Sequence, residues 1–220
     1  MIKAIVFDFD GTIIDTETAW YNAFKNAYKE YNVDLTLEQY SQCIGTSLHS
    51  FNPYEYLMTE LNLPIDKDEF RIRIQGDHSE LMNIEQVRPG VMDYLKLAKE
   101  AGLKIGLATS SHRAWADKYL DQLGIRDYFE VIQTSDDVEK VKPDPALYVQ
   151  AMDALGVKPE ETLAIEDSPN GAKAAAAAGM NVIVVPNALT KFLEFERYDK
   201  AHHAESLMDV DFQRAIAWTL

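Results

Sequence analysis

Cysteine is almost absent from this chain. Cys43 is the only one in 220 residues, so no internal disulfide can form, and a reducing compartment, the cytoplasm, is expected. Long apolar runs are missing too. No stretch approaches the roughly 20 residues that a helical membrane span requires. The start, Met1-Ile2-Lys3-Ala4, runs directly into strand-like sequence, which predicts no signal peptide. Basic residues are scarce: 21 Lys and Arg stand against 36 Asp and Glu, a formal charge of -15. Such a surface repels nucleic acid and anionic membranes, and no basic stripe offsets it. No nucleic-acid or membrane partner is expected, and the protein is read as a monomer. An anionic substrate would need a divalent cation and a few placed Lys or Arg to overcome the field of the whole molecule.

What is present is an ordinary globular mixture, 47% apolar and 26% charged, enough for one domain or a core with a small companion. Short apolar runs recur at 3–7, 103–109, 129–132, 162–165 and 181–185, with a last candidate at 201–204. Several are β-branched and apolar throughout, as strands buried on both faces should be. Between them lie helical patterns at 91–101, 114–123, 144–155 and 171–178, ending at Gly102, Gly124, Gly156 and Gly179. The alternation predicts an α/β fold with a Rossmann-like parallel sheet. Residues 16–82 differ. Trp20, Phe24, Ala27 and Tyr28, then Tyr54, Leu57, Met58 and Leu61, recur at helical spacing without a strand pattern. The expected organisation is a catalytic core over 1–15 and 83–220, with a small helical cap over 16–82.

The first strand ends in Asp8 and Asp10, although unpaired charge is costly at the end of a buried strand. Other polar clusters follow other strands: Thr109-Ser110-Ser111, then Lys142 before Pro143-Asp144-Pro145, then Glu166-Asp167. Ligands of parallel α/β sheets bind beyond the carboxyl ends of strands, so these groups converge on one edge. Magnesium wants hard oxygen ligands. Asp8 and Asp167 can supply carboxylates, the backbone of Asp10 a carbonyl, and Glu166 a further oxygen, directly or through water. Lys142 can neutralise a nucleophile and a phosphate oxygen together. Thr109 can hydrogen-bond a transferred phosphoryl group.

Asp8-Phe9-Asp10-Gly11-Thr12, Thr109, Lys142 and Glu166-Asp167 resemble, in order and along the whole chain, the four motifs of the haloacid dehalogenase superfamily. The helical insert is similar to that of the subgroup with β-phosphoglucomutase and phosphoglycolate phosphatase. The resemblance implies Asp8 as a nucleophile that becomes an aspartyl-phosphate, and Asp10 as general acid and base. It implies Thr109 and Lys142 as second- and third-motif residues, and Asp167 as the main fourth-motif metal ligand. Gly11 and Ser110 would line the phosphate beside them. The expected activity is magnesium-dependent hydrolysis of a small phosphorylated metabolite.

Two alternatives stay open. A hexose-phosphate mutase needs a cationic cap grip for a second phosphate. The stretch Gly45-Thr46-Ser47-Leu48-His49-Ser50 has no Arg or Lys where the mutase pattern places an arginine. Arg71 and Arg73, two apart on a helix, do not share a face. A non-catalytic binding module would have lost an essential position, and none is lost. Dehalogenation has no use for Asp10 or the acidic fourth motif. Other residues read more plainly: Ser168 as a helix cap or a site residue, His112 as a loop residue or a substrate contact, Trp20 as cap core or cleft lining, and Cys43 as packing. Adjacent His202 and His203 face opposite sides of a strand and do not share a metal.

Overall fold

The structure, a computed structural model, describes residues 1–44 and 51–220. Six strands form one parallel sheet in the order β3-β2-β1-β4-β5-β6. They are β1 (Ala4–Phe7), β2 (Lys104–Ala108), β3 (Val131–Gln133), β4 (Thr162–Glu166), β5 (Asn181–Val184) and β6 (Ala201–His203). Ala4 to Phe7 pair with Lys104 to Leu107 on one side and with Thr162 to Ile165 on the other. The winding runs from β1 through β2 to β3, then returns to β4 on the far side of β1. That reversal opens a crevice at the carboxyl ends of β1, β2 and β4. β1, β4 and β5 are fully buried, which is why β1 is apolar throughout and β4 and β5 are apolar apart from their end residues Thr162, Glu166 and Asn181. The edge strands β3 and β6 are short and only partly covered, and their sequence signal is correspondingly weak.

Helices follow in chain order: α1 (Thr16–Glu30), α2 (Leu37–Ser41), α3 (Tyr56–Thr59), α4 (Lys67–Ile84), α5 (Val91–Glu100), α6 (Arg113–Gln122), α7 (Ala146–Leu155), α8 (Pro169–Ala177) and α9 (Phe212–Ala217). The first four belong to one compact unit, Asp15–Glu85 with Ala188–Leu193; the other five belong with the sheet. In the sheet unit α7 packs on β1, β2 and β3, and α8 on β4 and β5. Ala172, Ala174 and Ala175 of α8 join Val6, Ala164, Val182 and Val184 in one core cluster. Methyl-sized side chains allow a helix to approach a sheet closely, which accounts for the buried Ala172, Ala174, Ala175 and Ala178 but not for the exposed Ala177.

The helical unit has its own aromatic core. α4 buries Phe70, Ile74, His78 and Met82, a stripe at four-residue spacing. α1 packs against it and contributes Phe24 and Tyr28. Tyr21 donates to Leu35 O at 2.9 Å and Tyr28 to Pro53 O at 2.8 Å, so the buried hydroxyls are satisfied. The unit extends beyond the expected 16–82 segment. α4 continues to Ile84, and Leu189 is buried in the aromatic cluster, bringing 188–193 with it. α7 starts at Ala146, two residues later than the helical pattern suggests. Its N-cap is Pro145, and the Asp144 carboxylate accepts from the first helical N–H at 3.0 Å.

Candidate active site

Asp8 continues the line of β1, its N–H donating to Ile165 O at 2.9 Å. The backbone then turns through Asp10 and Gly11, and Gly11 N donates to Ile14 O at 2.8 Å. Gly11 has φ +87°, and a Cβ there would collide with the Asp167 carboxylate. Both conditions require glycine. The Arg88 guanidinium donates to Gly11 O, and also to Val185 O at 3.2 Å and Pro186 O at 3.3 Å. It thereby ties the turn after β1 to the segment after β5.

Four charged side chains meet in the interior beside this turn. Lys142 Nζ lies 2.6 Å from Asp8 Oδ1 and 2.7 Å from Glu166 Oε1. Its side chain is 5% exposed, that of Glu166 0%. Tyr148, on α7, takes a bond from Lys142 at 3.2 Å and donates its hydroxyl to Glu166 Oε1. The ammonium also stands 4.7 Å from the Tyr148 ring centroid. Burial raises the Glu166 carboxyl; Lys142 pulls it down and Asp8 pushes it up, and it ends above the ordinary range. Burial acts to discharge Lys142, yet Asp8 and Glu166 outweigh it and hold the ammonium above its ordinary value. The Lys142 direction reflects two carboxylates around one ammonium, and the Glu166 direction reflects burial first.

Asp167 completes it. Asp8, Glu166 and Asp167 each offer a carboxylate oxygen within 4.8 Å of the others, and all three are buried. Thr12 Oγ1 donates to Asp167 Oδ1 at 3.3 Å, and Asn187 Nδ2 to Oδ2 at 2.9 Å. One ammonium against three buried carboxylates leaves a deficit that a hard divalent cation fits in charge and in donor type. Gly171, inside α8, lies directly against Glu166: a Cβ on it would overlap the Glu166 carboxylate.

Asp10 has different company. Trp115 Nε1 donates to Oδ1 at 2.8 Å; Ser111 Oγ donates to Oδ2 at 2.7 Å and Thr109 Oγ1 at 3.2 Å. Desolvation raises the Asp10 carboxyl above its usual value; the Ser111 bond opposes this, Asp8 adds to it, and the Trp115 and Thr109 bonds oppose it. Two acids two residues apart thus sit in unlike surroundings, one beside a cation and one among neutral donors.

The structure gathers Asp8, Asp10, Gly11, Thr109, Lys142, Glu166 and Asp167 at the carboxyl edge of the sheet. Ser110 lies on the same loop and is exposed. The Thr109 hydroxyl points to Asp10. Ser168 caps α8, its Oγ accepting from Gly171 N at 3.2 Å, and lies 3.5 Å from Glu166 Oε2. His112 pairs at 2.7 Å with Asp136 and is 81% exposed. Trp20 stacks on His78 at 3.6 Å between ring centroids. Burial, with Glu17 adding, pushes the Cys43 thiol up to about 12, as suits a packing residue. The stretch Gly45 to Ser50 lies outside the described residues. Sequence reasoning passed over Trp115, Tyr148, Asn187 and Arg88. Asn187 just follows β5, so the strand-end rule that found the other groups reaches it as well. Tyr148 is hidden among the apolar positions of α7.

The family model for haloacid dehalogenase-like hydrolases matches residues 5–185. YhcW of Bacillus subtilis (strain 168), a phosphatase by designation, is 46% identical over 211 residues, 96% of this chain and 94% of that protein. The phosphorylated carbohydrates phosphatase of Thermotoga maritima is 30% identical over 183 residues, 83% of this chain and 84% of its own. CbbY from Rhodobacter sphaeroides, solved in complex with phosphate, superposes with a TM-score of 0.68 at 30% identity, covering 94% of this chain and 95% of that one. A motif set that spans the sheet edge and a family match over most of the length agree: the chain belongs to the haloacid dehalogenase-like hydrolase family.

Proposed function

We propose that the protein is a magnesium-dependent phosphatase that hydrolyses a small phosphomonoester, with phosphorylated sugars the first class to try. The observation that carries this reading is the pairing of Asp8 with Lys142 at 2.6 Å, two residues from an Asp10 held by neutral donors. Two carboxylates in unlike settings suit two roles. The name of the Thermotoga relative and the phosphate complex of CbbY support the substrate class.

In this mechanism an Asp8 oxygen attacks phosphorus and the ester P–O bond breaks. The leaving oxygen keeps the electron pair and takes a proton from Asp10. Asp10, now a carboxylate, accepts a proton from water as the water oxygen attacks the aspartyl-phosphate. The Asp8–phosphorus bond breaks, and Asp8 and Asp10 return to their starting states. Lys142 holds Asp8 in position and offers positive charge to the phosphoryl oxygens. Asp8, Asp167 and the Asp10 carbonyl would hold magnesium, with Glu166 orienting the cluster. The ion supplies charge neutralisation for a dianionic substrate approaching a protein of charge -15. Thr109, Ser110 and the backbone at Gly11 complete the phosphate contacts. The helical unit, inserted in the chain between β1 and α5, serves as the cap that selects the substrate. Among the described residues no helix is long and apolar enough to cross a membrane. A cytoplasmic metabolite and a monomeric enzyme fit this reading.

Hydrolysis is favoured over the mutase because both cap arginines are engaged. Arg73 pairs with Glu30 and with Asp77, and Arg71 lies 5.1 Å from the Tyr54 ring centroid. The deciding experiment measures phosphate release from a panel of phosphorylated sugars, polyols and glycolate, with magnesium and with excess chelator. Magnesium-dependent release, lost in chelator, is expected. Hexose 1- and 6-phosphate interconversion faster than release would replace this reading with the mutase. Full activity in chelator would remove the metal from it.

A further inference from the structure

The chemistry of the Asp10 donors is asymmetric. An indole N–H can only donate, whereas a hydroxyl can donate or accept. Trp115 Nε1 holds Asp10 Oδ1 at 2.8 Å, so that oxygen is confined to the role of acceptor. Oδ2 faces the hydroxyls of Ser111 at 2.7 Å and Thr109 at 3.2 Å. Thr109 Oγ1 already accepts from Ser111 N at 3.0 Å, which fixes its orientation. Ser111 is the shorter partner, and its hydroxyl can reverse when Oδ2 carries a proton.

Trp115 is well placed to hold this arrangement. It sits in the first turn of α6, where its backbone N–H donates to His112 O at 3.1 Å. Its ring meets Tyr119, one turn later, edge to face at 4.6 Å between centroids. The carboxylate of Asp10 is therefore gripped by a side chain that is itself fixed.

We infer that Trp115 is a positioning residue for proton transfer: by occupying Oδ1 as a pure donor it places the Asp10 proton on Oδ2, with Ser111 as the hydroxyl that follows it. This deepens the phosphatase reading and rests on it. In the first half-reaction the proton leaves Oδ2 for the ester oxygen, which holds the electron pair of the broken P–O bond. The carboxylate left behind keeps the Trp115 N–H on Oδ1 and regains the Ser111 O–H on Oδ2. In the second half-reaction the water proton returns to Oδ2. Without the indole N–H nothing confines Oδ1 to accepting, so either oxygen can take the proton, and only the Ser111 and Thr109 hydroxyls still hold the carboxyl.

A change in leaving group tests this. A 4-nitrophenyl ester departs without protonation, whereas an alkyl ester needs a general acid. Trp115→Phe keeps an aromatic ring beside Tyr119 and removes the donor together with part of the indole's bulk, a loss that acts on both esters alike. We expect kcat/KM, which reports transfer to Asp8, to fall about ten- to a hundredfold for the best alkyl phosphate of the panel. The fall for 4-nitrophenyl phosphate should be at least about tenfold smaller. Ser111→Ala should show the same split and stands in if Trp115→Phe does not fold. Equal losses on both esters, or no loss on the alkyl ester, would overturn the inference while leaving the phosphatase intact. Wild-type protein that hydrolyses neither ester would overturn the phosphatase reading itself.

Discussion

The two units bury polar groups of different kinds. Among the described residues every buried carboxylate, Asp8, Glu166 and Asp167, belongs to the sheet unit. The helical unit buries no carboxylate among the described residues; its buried polar groups include Tyr21 and Tyr28, whose hydroxyls donate to backbone carbonyls, and His78, whose ring stacks on Trp20. Burying charge opposes folding unless partners and hydrogen bonds compensate, and replacing such a cluster with apolar residues commonly stabilises a protein. A neutral aromatic core has no such conflict. The sheet unit thus holds an arrangement that stability alone does not favour, and the helical unit holds one that it does. That contrast sets the sheet unit apart as the one that carries the candidate site.

The comparison can be broken most sharply at Asp8. Asp8→Asn preserves size and removes the attacking charge, and phosphate release should fall at least about a thousandfold. Retention of a tenth of wild-type turnover would take the nucleophile away from this position. Next in size is the metal. Asp167→Ala should raise the magnesium concentration for half-activation about ten- to a hundredfold, and Glu166→Ala should raise it less. The reverse order, read from magnesium titrations of activity, would exchange their roles. The smallest effect belongs to the other unit. Ile74 is fully buried on α4, and Ile74→Val should cost about 1 kcal/mol in urea unfolding, with turnover per folded molecule within about twofold. A larger loss of turnover than of stability would give the helical core a part in the reaction.

The sheet was legible because its central strands are apolar and β-branched, and because Gly156 and its counterparts end the helices. The candidate site was legible because its acids end or directly follow strands, where an apolar core cannot use them. The supporting residues were not. Tyr148 reads as one more apolar position on α7, and only three dimensions bring its hydroxyl to Glu166. Trp115 is separated from Asp10 by 105 residues, and no local pattern links an indole to a carboxylate. Residues 188–193 follow β5 in sequence but pack with the helices through Leu189, a long-range contact that composition does not encode.

Gly171 sets a limit on how this protein can be improved. Replacing a helical glycine by alanine is a common route to thermostability, at about 1 kcal/mol for each exposed site. Gly76, exposed on α4, is such a site, since a Cβ there meets nothing within 4 Å. Gly171 has the same appearance in a sequence, a glycine inside a helix, yet the space its Cβ would take belongs to the Glu166 carboxylate. A design scheme scoring helix propensity alone would treat the two alike. At one position it would harden the fold, and at the other it would push Glu166 out of reach of Lys142. Position 171 is therefore closed to this route of stabilisation, because the space beside it is filled by Glu166.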